Sequence, residues 1–315
     1  MSASAPPGRR PMGLFSRIID SDIFYSFRTS PVAVVAASIA LILILAAVFA
    51  PWIAPYNPFD PRTLNLMDGY TAPMETSFAG NYFLLGADHQ GRDVFSTILY
   101  GSRVSLLVGL SATLFAMTLG VSLGLIAGYR GGFTDAIIMR ICDIQLTFPA
   151  ILIALLIFGV ARGLIPPSQQ ESTALYVLIL AIGLSNWAQF ARTVRGATMV
   201  ERQKDYVAAA RIMGVHPLFI LVRHILPNVT GPVLVIATIG LALAIIEEAT
   251  LSFLGVGVPP TQPSLGTLIR IGQQFLFSGE WWILFFPALT LVLLALSVNL
   301  LGDWLRDALN PRLRK

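Results

Sequence analysis

The chain has 315 residues, 55% of them hydrophobic and 12% charged, with a mean hydropathy of +0.73 and a formal net charge of +4. Soluble domains carry nearer a quarter charged residues, so lipid is the solvent for much of this chain. A single cysteine, Cys142, excludes an intrachain disulfide and any multi-cysteine metal or redox site, and the modest positive charge fits loops at a membrane surface rather than nucleic-acid binding.

The N-terminal segment "MSASAPPGRRPMG" has the composition of a disordered tail. The first apolar run, Val32–Ala54, is longer than the ~7–15 residues of a signal-peptide core and reads as a first span. A helix needs about 20 apolar residues to cross ~30 Å of hydrocarbon. Five further stretches qualify: Ser102–Ala127, Ala136–Val160, Thr173–Ala191, Gly231–Leu254 and Trp282–Leu301. None alternates with the period of a membrane strand. The expected fold is an all-α membrane protein with six transmembrane helices. It divides into a tail (1–31), a first span (32–54), an outer loop (55–100), a five-helix core (101–305) containing the polar loop 192–228, and a second tail (306–315).

Orientation follows from Lys and Arg. The N-terminal tail holds Arg9, Arg10, Arg17 and Arg28. The loop after span four holds Arg192, Arg195, Arg202, Lys204, Arg211 and Arg223, and the C-terminal tail Arg306, Arg312, Arg314 and Lys315. Six spans put all three on one side, which the charge rule makes cytoplasmic. The segment from Pro55 to Asp93 is acidic and proline-rich, and about 40 residues make an ordered cap of turns rather than a domain with its own core.

Within the spans, "GVSLGLIAG" places Gly120, Gly124 and Gly128 every four residues, a small-residue face for close helix packing. Ionisable residues inside spans carry a functional expectation. Arg140 and Asp143 are i, i+3 on span three and can form a structural ion pair. Glu247 and Glu248 lie about 15 residues into span five, ~23 Å by helical rise, and are candidates for lining a translocation path. Trp281 and Trp282 sit where an interfacial aromatic belt is expected. His89, His216 and His224 are scattered, so no metal site is expected. No phosphate-binding G-x-x-x-x-G-K-[ST], H-E-x-x-H or G-x-S-x-G is present, so the chain carries no recognisable catalytic constellation.

The most informative stretch is "DYVAAARIMGVHPLFILVRHILPN", Asp205 to Asn228. Asp205 suits an N-cap, Tyr206–Met213 a helix of about eight residues, and Gly214 a left-handed C′ position. Ala208, Ala209 and Ala210 give it a low profile. Tyr206, Ala210 and Met213 form a stripe at i, i+4, i+7, flanked by Arg211. Pro227 marks where the next spanning helix begins. A helix this short is marginal alone. Pattern alone leaves two readings open, a docking knob for another protein and a bland interfacial linker.

"DYVAAARIMG…HILPN" resembles the cytoplasmic EAA loop of permease subunits in binding-protein-dependent ABC importers. "LGADHQGRDVFSTILYGSRVSLLVG", "GLIAGYRGGFTDAIIMRICDI…FP", "LSFLGVGVPPTQPSLGTLI" and "WWILFFPALTLVLLALSVNLLGDWLRDALNPRLR" are similar, in order, to further blocks of the C-type permease of dipeptide, oligopeptide and nickel importers. The resemblance runs from about Leu85 to Arg314. It implies a type I importer permease fold in a bacterial inner membrane, and a coupling helix over Asp205–Gly214 that fits a groove on a cytoplasmic ATPase. It further implies a homologous second permease, two ATPase subunits that bind ATP and Mg, and an extracytoplasmic solute-binding protein. No cofactor and no enzymatic activity are implied for this chain. Two departures stand out: Ala208 occupies a position where the family often has Glu, and "GAD" (Gly86, Ala87, Asp88) replaces "GTD". Peptides are the expected cargo, with nickel or oligosaccharides as alternatives. A self-contained secondary transporter is the reading from a different class.

Overall fold

A computed structural model of the chain describes residues 22–60, 64–259 and 261–309. The tail expected before residue 22 and the basic residues beyond 309 lie outside the described residues. The first elements are α1 (Asp22–Thr29), α2 (Pro31–Val48) and the short α3 (Ala50–Ile53). The apolar run expected as one span is thus broken at Phe49, two residues before the helix-breaking Pro51. Next come a two-strand pair, β1 (Glu75–Thr76) and β2 (Tyr82–Phe83), and then α4 (Val94–Arg130), α5 (Gly132–Thr147), α6 (Ala150–Leu164), α7 (Gln170–Glu201) and α8 (Asp205–Ile212). A helix α9 runs over Pro217–Phe253, followed by α10 (Leu265–Gln273) and α11 (Trp282–Leu309). Among the described residues five helices are long and apolar enough to cross a membrane, and six crossings result if α5 and α6 together make one.

That pair corrects the expectation of a straight span over Ala136–Val160. The two helices meet at 97° across Phe148 and Pro149. Phe148 is extended, as steric crowding by a following proline favours, and Pro149 has no N–H to continue the ladder. The hydropathy window passes over the break because Phe and Pro are both apolar.

The centre of the bundle is α4 packed along α7. The glycine face sets their separation. A Cβ at Gly120 would lie 2.4 Å from the Trp187 carbonyl oxygen, at Gly124 2.5 Å from that of Ala191, and at Gly128 2.8 Å from that of Arg195. No side chain fits between these backbones, which is the use of a small-residue face between apolar helices. Val108, Ala112, Ile182 and Ala244 join α9 to the same core. Outward-facing apolar residues along α2, α4 and α9 are exposed, as expected of surfaces meeting lipid or another subunit.

The segment between α3 and α4 is a turn-rich cap. Asp68, itself buried, accepts from Asn81 Nδ2 at 2.8 Å and from the Ser77 hydroxyl. Asp93 caps α4, accepting from the Ser96 N–H at 2.9 Å; burial raises its pKa, an effect the Ser96 hydrogen bonds oppose. Trp282 packs into this region, while its neighbour Trp281 is half exposed at the same end of α11. Trp282 is 8% exposed, and its indole N–H donates to the Ala87 carbonyl at 3.1 Å. The family hydroxyl missing at Ala87 is not needed for that contact, because the backbone supplies the acceptor.

Candidate functional site

α8 stands outside the spans, joined to α7 by a three-residue turn and to α9 by residues 213–216. Its N-cap is Lys204, extended at φ −75 and ψ 150, and no side chain caps the free N–H groups. Asp205 is therefore not the cap, as the sequence suggests, but the first helical residue. There its charge still favours the positive helix end. The C-terminus follows expectation. Gly214 has φ +75, its N–H donates to Arg211 O at 3.0 Å, and the Val215 N–H donates to Ala210 O at 3.1 Å. These two bonds are the Schellman pair, with Gly214 in the left-handed position.

The helix turns a different face outward from the expected stripe. Val207 and Ala210, i and i+3, are buried against Val194, Ile220, Ile225 and Val229. Val207 is the bulky apolar side chain of the first turn, so its burial fixes the rotation and takes Ala210 inward with it. Ala208, Ala209, Ile212 and Met213 face outward, and Ile212 is 88% exposed. Tyr206 belongs to the anchoring side. Its hydroxyl donates to Glu201 Oε2 at 2.5 Å, and Asn228 Nδ2 donates to the Tyr206 oxygen at 3.2 Å. Partial desolvation and the Glu201 carboxylate push the Tyr206 pKa up to about 12, so the phenol stays protonated as donor. The Arg211 guanidinium lies 4.9 Å over the ring of Tyr129, in the last turn of α4. One short helix is thereby tied to the ends of α4 and α7 and to α9 about three turns in.

Pro227 does not start a helix, because α9 begins ten residues earlier at Pro217. The stretch Ile220–Ile225 is a π-helical turn. Pro227 cannot donate to the carbonyl four residues back, and the wide turn absorbs that missing bond inside a continuous helix.

The charged residues of the spans pair differently from the sequence reading. Asp143 bonds Arg192 of α7, not Arg140, and both partners are about half exposed. Arg140 is exposed on α5. A second bridge between the same two helices, missed in the sequence, is bidentate: Arg195 Nε and Nη2 donate to Asp135, both at 2.6 Å. Arginine's planar fork reaches across the helix pair, which an i, i+3 pairing on one helix cannot match in geometry.

The two glutamates separate. Glu247 is half-buried and accepts from Asn186 Nδ2 of α7 at 2.7 Å. Glu248 is fully buried, which removes it from any open path in this conformation. It accepts from Ser105 Oγ of α4 and Ser252 Oγ of α9, each at 2.7 Å. Those hydroxyls accept in turn from the Leu265 and Val258 N–H groups at 3.2 and 3.3 Å. Glu248 thus holds the start of α10, and the loop before it, against α4 and α9. Ser252, four residues after Glu248, is at a helical spacing the sequence displays, whereas Ser105 lies 143 residues earlier and carries no such signal.

Residues 120–315 match the family described as binding-protein-dependent transport system inner membrane component, and residues 21–73 match the N-terminal TM domain of oligopeptide transport permease C. The chain is 37% identical over 275 residues to the di/tripeptide transport system permease protein DppC of Pseudomonas aeruginosa, covering 87% of this chain and 86% of that one. The dipeptide transport system permease protein DppC of Haemophilus influenzae is 36% identical over 295 residues, covering 93% and 95% of the two chains. The oligopeptide transport system permease protein OppC of Bacillus subtilis is 36% identical over 294 residues, covering 93% and 90%. Among solved structures, the MetNI methionine ABC transporter in inward-facing conformations matches with a TM-score of 0.52 at 20% identity, covering 68% of this chain and 96% of that chain. With the bundle, the short helix outside it and these long matches in agreement, the chain belongs to the binding-protein-dependent transport system inner membrane components, as a multi-pass permease subunit of an ABC importer.

Proposed function

We propose that this chain forms half of the translocation pathway for di- or oligopeptides and that α8 is its coupling helix. The observation that carries the reading is the anchoring of α8. Through Tyr206 and Arg211 it has its own contacts to the ends of α4 and α7 and to Asn228 of α9, and it has a bare outer face at Ala208, Ala209, Ile212 and Met213. A push on that face moves α4, α7 and α9 together. A small, apolar face without acid at Ala208 docks by shape. The relatives' printed names supply the peptide class.

In this reading the partners are a homologous second permease, two ATPase subunits that hold ATP and Mg, and a solute-binding protein at the opposite membrane face. The tails and residues 192–228 are cytoplasmic, as the Lys and Arg distribution argues. ATP-driven closure of the ATPases moves α8, and the spans alternate between inward and outward openings. Glu247, half-buried beside Asn186, is the acid available to a peptide amine along that path.

The test is a mild-detergent pull-down of the tagged chain from its native membrane. A second permease and two ATPases should co-elute, and Ala209→Trp should release the ATPases while retaining the permease. Elution of the chain alone under conditions that preserve other ABC complexes would overturn the partner set, and ATPases retained by Ala209→Trp would overturn the coupling role of α8.

A further inference from the structure

A cleft of about 440 Å³ opens where α4 ends beside the start of α9, and the coupling assignment does not use it. Its apolar wall is Ile126, Leu218 and Leu221, and its polar rim is Tyr129, Arg130 and His216. α4 has 37 residues, about 55 Å at helical rise, which exceeds the ~30 Å hydrocarbon thickness. Arg103 and Arg130 mark the two ends of its uncharged stretch. They stand about 40 Å apart along the helix, so a ~30 Å hydrocarbon layer centred between them puts Ile126 at its edge and Arg130, one turn further, at headgroup depth.

The rim is basic beyond its own lining. Arg202 Nη1 donates to the Tyr129 carbonyl at 3.0 Å, and Arg211 covers the Tyr129 ring. Neither they nor Arg130 form an ion pair among the described residues. The neighbouring acids are engaged: Asp135 by Arg195, and Glu201 by Lys204 and Tyr206. Arg202 and Arg211 have work at Tyr129, whereas Arg130 is exposed with its charge open. His216 Nδ1 accepts from the Leu218 N–H at 3.3 Å, which leaves Nε2 for an outside partner.

We infer that this cleft binds an anionic glycerophospholipid, its phosphate against Arg130 and His216 and an acyl chain along Ile126, Leu218 and Leu221. An apolar wall continuous with a spanning surface, and a rim carrying the unpaired Arg130 guanidinium with Arg202 and Arg211 close by, match that amphiphile. Free phosphate would use only the rim. The lipid joins α4 to the segment that follows α8, so its presence stiffens the base of the coupling helix. The inference needs only a membrane boundary at this end of α4, and so can fail or hold independently of the peptide-importer reading.

The test uses the full chain, with its co-purifying subunits, in nanodiscs of phosphatidylcholine mixed with phosphatidylglycerol, and native mass spectrometry of the lipid retained on release. Phosphatidylglycerol should be retained in preference to phosphatidylcholine. Arg130→Gln should lower its retention about fivefold, the effect of one cation at a charged lipid surface. Arg130→Lys should restore most of it, and Arg103→Gln, at the other end of α4, should leave it unchanged. Equal retention of the two lipids by the wild-type protein would overturn the proposal without any variant. So would unchanged retention in Arg130→Gln, displacement of the lipid by inorganic phosphate, or loss of the lipid whenever ATPase subunits are bound.

Discussion

Gly214 offers a sharp perturbation because its cost is purely conformational. A Cβ built there meets nothing within 4 Å, so substitution adds no clash. The residue sits at φ +75, where an L side chain costs about 1–2 kcal/mol and a β-branched one more. Relieving the strain by returning to negative φ would break the bonds from Gly214 N to Arg211 O and from Val215 N to Ala210 O. The helix they close has eight residues and little stability of its own, so 1–2 kcal/mol is roughly a 5- to 30-fold loss in the population of the ordered helix. The expected series of coupled activity is Gly ≥ Asn > Ala > Val, since asparagine tolerates the left-handed region. The assay is substrate-stimulated ATPase of the reconstituted complex, read beside basal ATPase and the amount of assembled complex. Stimulation should fall along the series while basal turnover and assembly in the membrane persist. A Gly214→Val protein with full stimulation would refute the reasoning. An Asn variant as impaired as Val would show that the effect is not one of backbone conformation.

Other perturbations test the bundle itself. Gly124→Ala should destabilise by about 1–3 kcal/mol, because its Cβ meets the Ala191 carbonyl at 2.5 Å, whereas Gly196→Ala on the facing helix, with open space, should be neutral or stabilising. Melting in detergent separates the two, and equal shifts would mean that the glycine face does not set the helix spacing. Glu248→Ala should cost about 2–4 kcal/mol by stranding the Ser105 and Ser252 hydroxyls beside a cavity, with Glu248→Gln much milder. Indistinguishable melting of Ala and Gln variants would count against the cluster. Asp135→Arg combined with Arg195→Asp should recover stability lost in either single variant, and a double variant no better than the worse single one would show that the bridge is incidental. Glu247→Gln should reduce uptake of peptides with a free amino terminus more than of N-acetylated ones, and equal effects on both would return Glu247 to a structural role.

Much of the fold is written in local pattern. The glycine face of α4, the left-handed Gly214 and the apolar runs follow from spacing and composition, because each depends on backbone rules acting within a few residues. What sequence reading missed depends on partners far along the chain. Asp143 has a cation three residues away in sequence, yet bonds Arg192, 49 residues on. Of the two Glu248 hydroxyl partners, Ser252 is one turn on along α9, but Ser105 lies 143 residues earlier. The rotation of α8 was missed for a related reason. Burial of Val207 against α7 and α9 outweighs the stripe of Tyr206, Ala210 and Met213 that the short segment suggests in isolation. Pro149 lay in plain view, but an average over hydropathy cannot register a residue that is apolar and unable to continue a helix.

The buried Glu248 also bears on biogenesis. A charged side chain costs up to about 2.5–3.5 kcal/mol to insert at a helix centre, and Glu248, five residues before the end of α9, bears a part of that cost. Here one of its two hydroxyl donors comes from α4, which is synthesised well before α9, and the other lies on α9 itself, one turn on. The later helix therefore meets in the membrane a polar notch that the earlier one has already carried in. A chain lacking Ser105 would present α9 to the insertion machinery with half of its polar partnership missing.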